Sequence, residues 1–144
     1  MFATTTPLTG NRAMGVALTV AIVGLALSTG YIHSTLGGLL FTLNAIGYAG
    51  LAALYVVGAV APLPIVRRFS WFPRVALAGY AAMTIVGWAI QGPYYSTAFI
   101  AKGIEVVLIT LIVADTTRVF GSPLAMVRIA FASVFGSRTT QAAA

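Results

Sequence analysis

Four long apolar runs, separated by short segments that hold nearly all of the charge, constrain this chain most strongly. The runs cover residues 13–29, 36–63, 75–90 and 96–114, and a membrane-spanning helix needs about 20 apolar residues. Hydrophobic residues make up 60% of the 144 residues and charged residues 7%, whereas a soluble domain usually carries about 25% charged residues. The sequence therefore predicts an all-α integral membrane protein built as a four-helix bundle.

The first two runs leave questions about their limits. The first resembles a secretory signal peptide, with a basic residue, an apolar stretch and then small residues at Ala26 and Ser28; we interpret it as a retained span. The second has 28 residues, which exceeds the hydrocarbon core at about 1.5 Å per residue and predicts a tilted helix. We expect this helix to reach back towards Tyr31 and His33 and to end at Pro62 and Pro64.

The arginines predict the orientation. Seven of them lie in the N-terminal segment, the central loop and the C-terminal tail, and the loops at residues 30–35 and 92–95 have no Lys or Arg. Basic residues favour the cytoplasmic side of a membrane, so both termini are predicted to be cytoplasmic, in a multi-pass protein of the cell (inner) membrane. We interpret the net charge of +6 as anchorage to anionic lipid. The arginines are Arg12, Arg67, Arg68, Arg74, Arg118, Arg128 and Arg138.

This orientation divides the chain into three parts. Residues 1–12 form a cytoplasmic N-terminal segment, residues 13–118 the four-helix transmembrane domain, and residues 119–144 a cytoplasmic tail. Within the tail, residues 123–135 are apolar except for Arg128 and are too short to span. They predict an amphipathic helix lying in the membrane interface, with a disordered tail as the alternative.

Charged residues inside the fourth run are the sharpest functional signal. Lys102 and Glu105 are three residues apart and share one helix face. A charge at the membrane centre costs about 2.5–3.5 kcal/mol on insertion scales, so the two side chains are expected to pair inside the bundle. Both a structural ion pair and a polar site for a ligand, ion or proton fit this spacing.

Other polar side chains repeat at helical spacing in the neighbouring runs. His33, Asn44 and Tyr48 follow one face of the second predicted helix, together with Gly37, Leu40 and Tyr55. Counting inward from the outer ends places Asn44, Tyr80 and Glu105 at one depth, with Thr84 and Lys102 a turn above. The predicted ligand-binding or buried polar site comprises Lys102, Glu105, Asn44, Tyr48, Tyr80, Thr84 and His33. Asp115 and Arg118 are interpreted as an interfacial pair with snorkelling side chains.

The composition leaves little catalytic chemistry. Without cysteine the chain has no disulfide, thiolate metal site or thiol redox centre, and no HExxH or GxSxG motif occurs. Two acidic residues and one histidine give general acid–base catalysis few participants, so we predict neither an enzyme nor a metal site. As a haem ligand, His33 would need a second axial partner, and the sequence specifies no cofactor.

Three functional hypotheses follow. We favour a non-catalytic accessory or structural subunit of a larger membrane complex, because the chain has small-residue-rich helices and no catalytic motif. The first alternative is a small-molecule or ion carrier that uses the Lys102/Glu105 site, and the second is a redox or pigment-binding membrane protein. Expected partners are the lipid bilayer and other membrane subunits or further copies of the chain, and no nucleic acid.

Overall fold

A computed structural model of the chain describes residues 9–135, with side chains from Arg12 onward. Arg138 and most of the predicted N-terminal segment lie outside this range. The described residues are helical throughout apart from short turns, and the helices are α1 (Thr9–Thr35), α2 (Leu39–Val60), α3 (Pro64–Arg68), α4 (Trp71–Gln91), α5 (Ser96–Phe120) and α6 (Pro123–Phe135).

Four of these helices, α1, α2, α4 and α5, are long and apolar enough to cross a membrane, with 21 to 25 residues in each apolar span. At about 1.5 Å per residue they are slightly longer than a hydrocarbon core of about 30 Å. Their outward-facing side chains are large and apolar, including Val20, Ile46, Met83 and Ile90, each more than 60% exposed. Such a surface suits lipid, and the prediction of four spanning helices is confirmed by the length and composition of these helices.

The four long helices form a ring in which each packs against two neighbours: α1 against α2 and α5, and α4 against α5 and α2. They alternate in direction, since His33 near the end of α1 meets Phe41 near the start of α2, and Arg118 near the end of α5 covers Gly15 near the start of α1. We call the end with Arg118 and the start of α1 the arginine end, and the end with His33 and the start of α2 the pocket end.

The middle of the bundle is an apolar layer. Buried side chains from all four long helices meet there, and the tyrosines of α2 border the layer above and below. The layer contains Ile22, Ala26, Ala52, Leu77, Ala81, Leu108 and Ile112, each no more than 2% exposed.

The predicted start of the second helix is wrong. Tyr31 and His33 belong to α1, and α2 begins at Leu39. The break follows from Gly37 and Gly38, whose φ angles of 73° and 85° lie in the left-handed region that disfavours side chains. The hydropathy of the sequence did not reveal this turn, because the two glycines stand among leucines. The sequence predicted a second helix longer than the hydrocarbon core. Instead α2 has 22 residues and spans about 33 Å, close to the core thickness.

The central loop is shorter than predicted. Pro64 begins the short helix α3, as suits a residue without a backbone N–H in the first helical turn. Helix α4 then starts at Trp71, so Arg74 lies inside the helix and is only 5% exposed. The prediction of a loop arginine at this position is therefore wrong.

Helix α6 occupies residues Pro123–Phe135, the span predicted for the tail helix. It contacts α5 and α4 and buries Met126 and Ser133, which are seven residues apart and so share one face. On the other faces Leu124, Phe131 and Phe135 are more than 60% exposed. An apolar surface of this kind is typical of a helix that meets lipid.

Candidate functional site

A pocket of about 300 Å³ lies at the pocket end of the bundle, between α2, α4 and α5 and beside the end of α1. Its volume is at the lower limit for small-molecule sites. Its walls are largely apolar and aromatic, with Phe41 on α2 and Trp88 on the neighbouring α4. The polar side chains that line it are His33, Asn44, Tyr80, Thr84, Gln91, Tyr95 and Lys102.

Glu105 lies below the pocket and is fully buried. The Lys102 ammonium donates to its Oε2 at 2.7 Å, the Thr84 hydroxyl donates to the same oxygen at 2.8 Å, and the Thr29 hydroxyl donates to Oε1 at 3.0 Å. Three helices thus satisfy one carboxylate. A charge-assisted network of this kind offsets the cost of placing both charges in a low-dielectric interior.

Two tyrosines join this network to α2. Tyr48 is fully buried, and its hydroxyl lies within hydrogen-bond distance of the Thr84 hydroxyl, at 3.0 Å. Tyr80 donates to Asn44 Oδ1 at 2.8 Å, and its ring meets the Tyr48 ring edge-on at 5.0 Å. Tyr80 also covers Gly47 so closely that a Cβ there would overlap its hydroxyl, which explains the glycine.

His33 occupies a different place from the one predicted. It is on α1, 4% exposed, and its Nδ1 donates to the Thr29 carbonyl at 2.8 Å. Its ring packs against Phe41 and Tyr48, with centroids 6.1 Å and 5.7 Å away. The single helical face from His33 through Tyr55 is therefore wrong, but the side chain still reaches the pocket because α1 packs along α2.

The structure thus brings all seven predicted site residues to one end of the bundle. Five of them line the pocket, Glu105 lies below it and bonds to Thr84 and Lys102, and Tyr48 reaches Glu105 through Thr84. The predicted depths need one adjustment, since Glu105 bonds to Thr84 and not to Tyr80. Among residues 12–135, no group of three or more His, Asp or Glu side chains is placed to hold a metal ion.

Sequence reasoning missed Thr29. Its hydroxyl carries one of the three hydrogen bonds to Glu105, yet it stands in an apolar run like several other hydroxyl residues. Ser28 and Thr19 instead donate to the carbonyl four residues earlier, at 2.8 Å and 2.9 Å, as hydroxyls in helices commonly do. Nothing in the sequence distinguishes Thr29 from these two.

A second buried charge cluster lies at the arginine end. The predicted pair of Asp115 and Arg118 is present at 2.7 Å, but the expectation that both side chains snorkel is wrong for Asp115. Asp115 is fully buried. Its Oδ2 accepts bonds from Arg74 at 2.9 Å and 2.7 Å and from the Tyr55 hydroxyl at 2.7 Å, and its Oδ1 accepts from Arg118. Arg74 also packs over the rings of Tyr55 and Phe120. This cluster joins α2, α4 and α5.

A comparison with protein families, with curated proteins and with solved structures found no match for this chain. The function must therefore be inferred from the chain's own residues.

Proposed function

We propose that this chain binds a small lipid-soluble molecule in the pocket at the pocket end of the bundle, as a membrane carrier or binding protein. The observation that carries the proposal is the Lys102 ammonium. It is 8% exposed and lines the pocket, and in the described part of the chain it uses one of its three N–H donors, on Glu105. The remaining donors are available to a molecule within the pocket.

The rest of the pocket supports this proposal. A small number of polar groups placed within a mostly apolar concave surface is the usual form of a ligand site. The polar groups are held in place from behind: Thr84 by Tyr48 and Glu105, and Asn44 by Tyr80. Such support costs little reorganisation when a ligand arrives.

Two glycines of α4 give a matched test. A Cβ at either Gly87 or Gly79 would meet nothing within 4 Å, so a leucine side chain would start in open space at both positions, but only Gly87 lines the pocket. We expect wild-type protein and Gly79→Leu, purified in mild detergent, to carry the same small molecule, detected by mass spectrometry of an organic extract. Gly87→Leu should lose it while retaining the wild-type melting temperature. Equal ligand content in the two variants, or no retained molecule in any form, would contradict the proposal.

The proposed location is the cell (inner) membrane, with both termini cytoplasmic and the pocket opening towards the other side. Support comes from the arginine distribution: Arg12, Arg67, Arg68, Arg74 and Arg118 all lie at the arginine end. Phosphatase and fluorescent-protein fusions after Arg68 and at the C-terminus should both report the cytoplasm. A periplasmic signal at either position would contradict this topology.

The accessory-subunit hypothesis remains a prediction. It requires a partner, so native electrophoresis of the gently solubilised protein should show a band larger than the chain alone, with a second polypeptide. The redox or pigment hypothesis also remains a prediction; its candidate ligand, His33, lines the pocket and has its Nδ1 bonded to the Thr29 carbonyl. An absorption spectrum of the purified protein tests it directly.

A further inference from the structure

Two side chains that line the pocket, Lys102 and Asn44, have hydrogen-bond donors that no protein group within the described residues uses. Glu105 accepts three hydrogen bonds and does not line the pocket. Lys102 presents unused N–H donors, and Asn44, whose Oδ1 accepts from Tyr80, presents its amide NH₂. At Lys102 and Asn44 the pocket therefore offers N–H donors, and the ligand group that meets these two side chains must accept hydrogen bonds.

The charge of the Lys102–Glu105 pair limits which hydrogen-bond acceptor a ligand can bring into the pocket. Lys102 and Glu105 form a buried pair at 2.7 Å, with side chains 10% and 0% exposed, so their net charge is zero. A carboxylate or phosphate entering the pocket would add a negative charge without a further cation among the lining residues. A cation would compete with Lys102 for a carboxylate that is already satisfied. Since an uncompensated charge is costly in a low-dielectric site, a neutral acceptor fits best.

The walls and the volume of the pocket indicate the polarity and the size of the rest of the ligand. Leu36, Leu40, Phe41, Met83 and Trp88 surround the donors, which suits an apolar or aromatic body. A pocket of about 300 Å³ holds a molecule at the small end of the ligand range.

We infer that the pocket selects a small apolar molecule with a neutral carbonyl oxygen, such as a ketone or a quinone, and that the oxygen accepts from Lys102 and Asn44. This inference rests on the proposed function, since it names the ligand class of the same pocket.

The two tryptophans provide the test. Trp88 lines the pocket, whereas Trp71 lies at the arginine end, bonded to Ser133. Bromine quenches tryptophan fluorescence on contact, so Trp71→Phe leaves a reporter of the pocket and Trp88→Phe leaves a reporter of general partitioning. Four para-bromophenyl probes differ only in their polar group: para-bromobenzylacetone (ketone), para-bromohydrocinnamate (carboxylate), para-bromophenylpropylamine (amine) and para-bromobutylbenzene (none). Each is titrated against both variants in the same detergent.

After correction by the Trp71 signal, the ketone should quench Trp88 at a concentration about tenfold lower than the carboxylate, the amine or the hydrocarbon. A factor of this size corresponds to one hydrogen bond with a charged donor. In Lys102→Met combined with Glu105→Gln, which removes the ammonium and leaves no lone buried charge, the advantage of the ketone over the hydrocarbon should disappear.

The possible failures are distinct. Trp88-selective quenching that is strongest for the carboxylate or the amine, or equal for all four probes, would leave the pocket as a binding site and overturn the carbonyl assignment. Retention of the ketone preference in the double variant would overturn the role of Lys102. Quenching of Trp88 no stronger than that of Trp71 by every probe would overturn both the assignment and the proposed function.

Discussion

Glu105 and Lys102 show how two charged side chains are stabilised inside an apolar helix bundle. A lone charge at this depth costs about 2.5–3.5 kcal/mol on insertion scales, and the pair avoids most of that cost by direct contact at 2.7 Å. Thr29 and Thr84 satisfy the remaining carboxylate lone pairs. In the described part of the chain no buried side-chain nitrogen or oxygen lacks a partner, so removing any one member leaves another unsatisfied.

This dependence makes a mutant cycle informative. Lys102→Met leaves a buried carboxylate without its cation, and Glu105→Gln leaves a buried ammonium without its anion. Each single change should destabilise by about 3–5 kcal/mol, whereas the double variant should recover most of the loss. The measurement is the free energy of unfolding in mixed micelles. Single variants as stable as wild type would show that water reaches the pair and compensates each charge.

Residue-scale prediction succeeded or failed for physical reasons. The Lys102–Glu105 contact could be predicted because two charges three residues apart in a helix have no better partners in lipid. Asp115 and Arg74 were misjudged because each stands near the end of an apolar run, where charged side chains usually reach the interface. Only the packing of α4 against α5 shows that they meet inside.

At the scale of helices, the spans and the tail helix could be predicted from the lengths of the apolar runs and from the proline and glycine residues at their ends. The boundary between α1 and α2 was missed because Gly37 and Gly38 stand in an otherwise apolar stretch, where hydropathy changes little. The docking of α6 could not be predicted from the sequence either, since it involves contacts of Arg68 and Trp71 with Ser133. Arg68 donates to the Ser133 carbonyl through two nitrogens, and Trp71 donates to the Ser133 hydroxyl at 2.9 Å.

The docking of α6 gives a second prediction with a neighbouring control. Arg68→Ala removes donors to the Ser133 carbonyl, so amide hydrogen exchange in residues 123–135 should become several-fold faster. Arg67→Ala removes an equal charge from the same short helix, yet Arg67 has no side-chain hydrogen bond within the described residues, and exchange should stay at the wild-type rate. Equal acceleration in both variants would mean that surface charge, and not this contact, holds α6.

The interfacial placement of α6 remains a prediction with its own measurement. Its exposed leucine, phenylalanines and valines should enter the membrane interface by about 5–10 Å, with Arg128 directed to the headgroups. Spin labels at Phe131 and Arg128 should then differ, the first more accessible to oxygen and the second to a water-soluble nickel chelate. Equal accessibility of both labels to the nickel chelate would place α6 in water.

At the scale of the whole molecule, the two charge clusters lie on opposite sides of the apolar layer. Along α5, Glu105 and Asp115 are ten residues apart, or about 15 Å. Leu108 and Ile112 fill the interval from α5, and α1, α2 and α4 contribute Ile22, Ala52, Leu77 and Ala81 at the same depth. Each cluster joins helices at its own level, so the bundle is held together at two polar levels with dry packing between them.

This arrangement predicts that the chain does not conduct ions passively. An ion or proton leaving Glu105 would cross about 15 Å of close-packed apolar side chains, each at most 2% exposed, where a bare charge is strongly disfavoured. In proteoliposomes with a potassium gradient, valinomycin and an internal pH dye, proton flux should equal that of protein-free liposomes, with a gramicidin-treated sample as the positive control.

Leu108→Asn combined with Ala81→Ser places polar groups in the layer and should raise the flux if the layer is the barrier. Flux through the wild-type protein that Glu105→Gln abolishes would contradict a sealed layer and favour a continuous proton path through the bundle. Wild-type flux that survives Glu105→Gln would place the path outside the bundle interior.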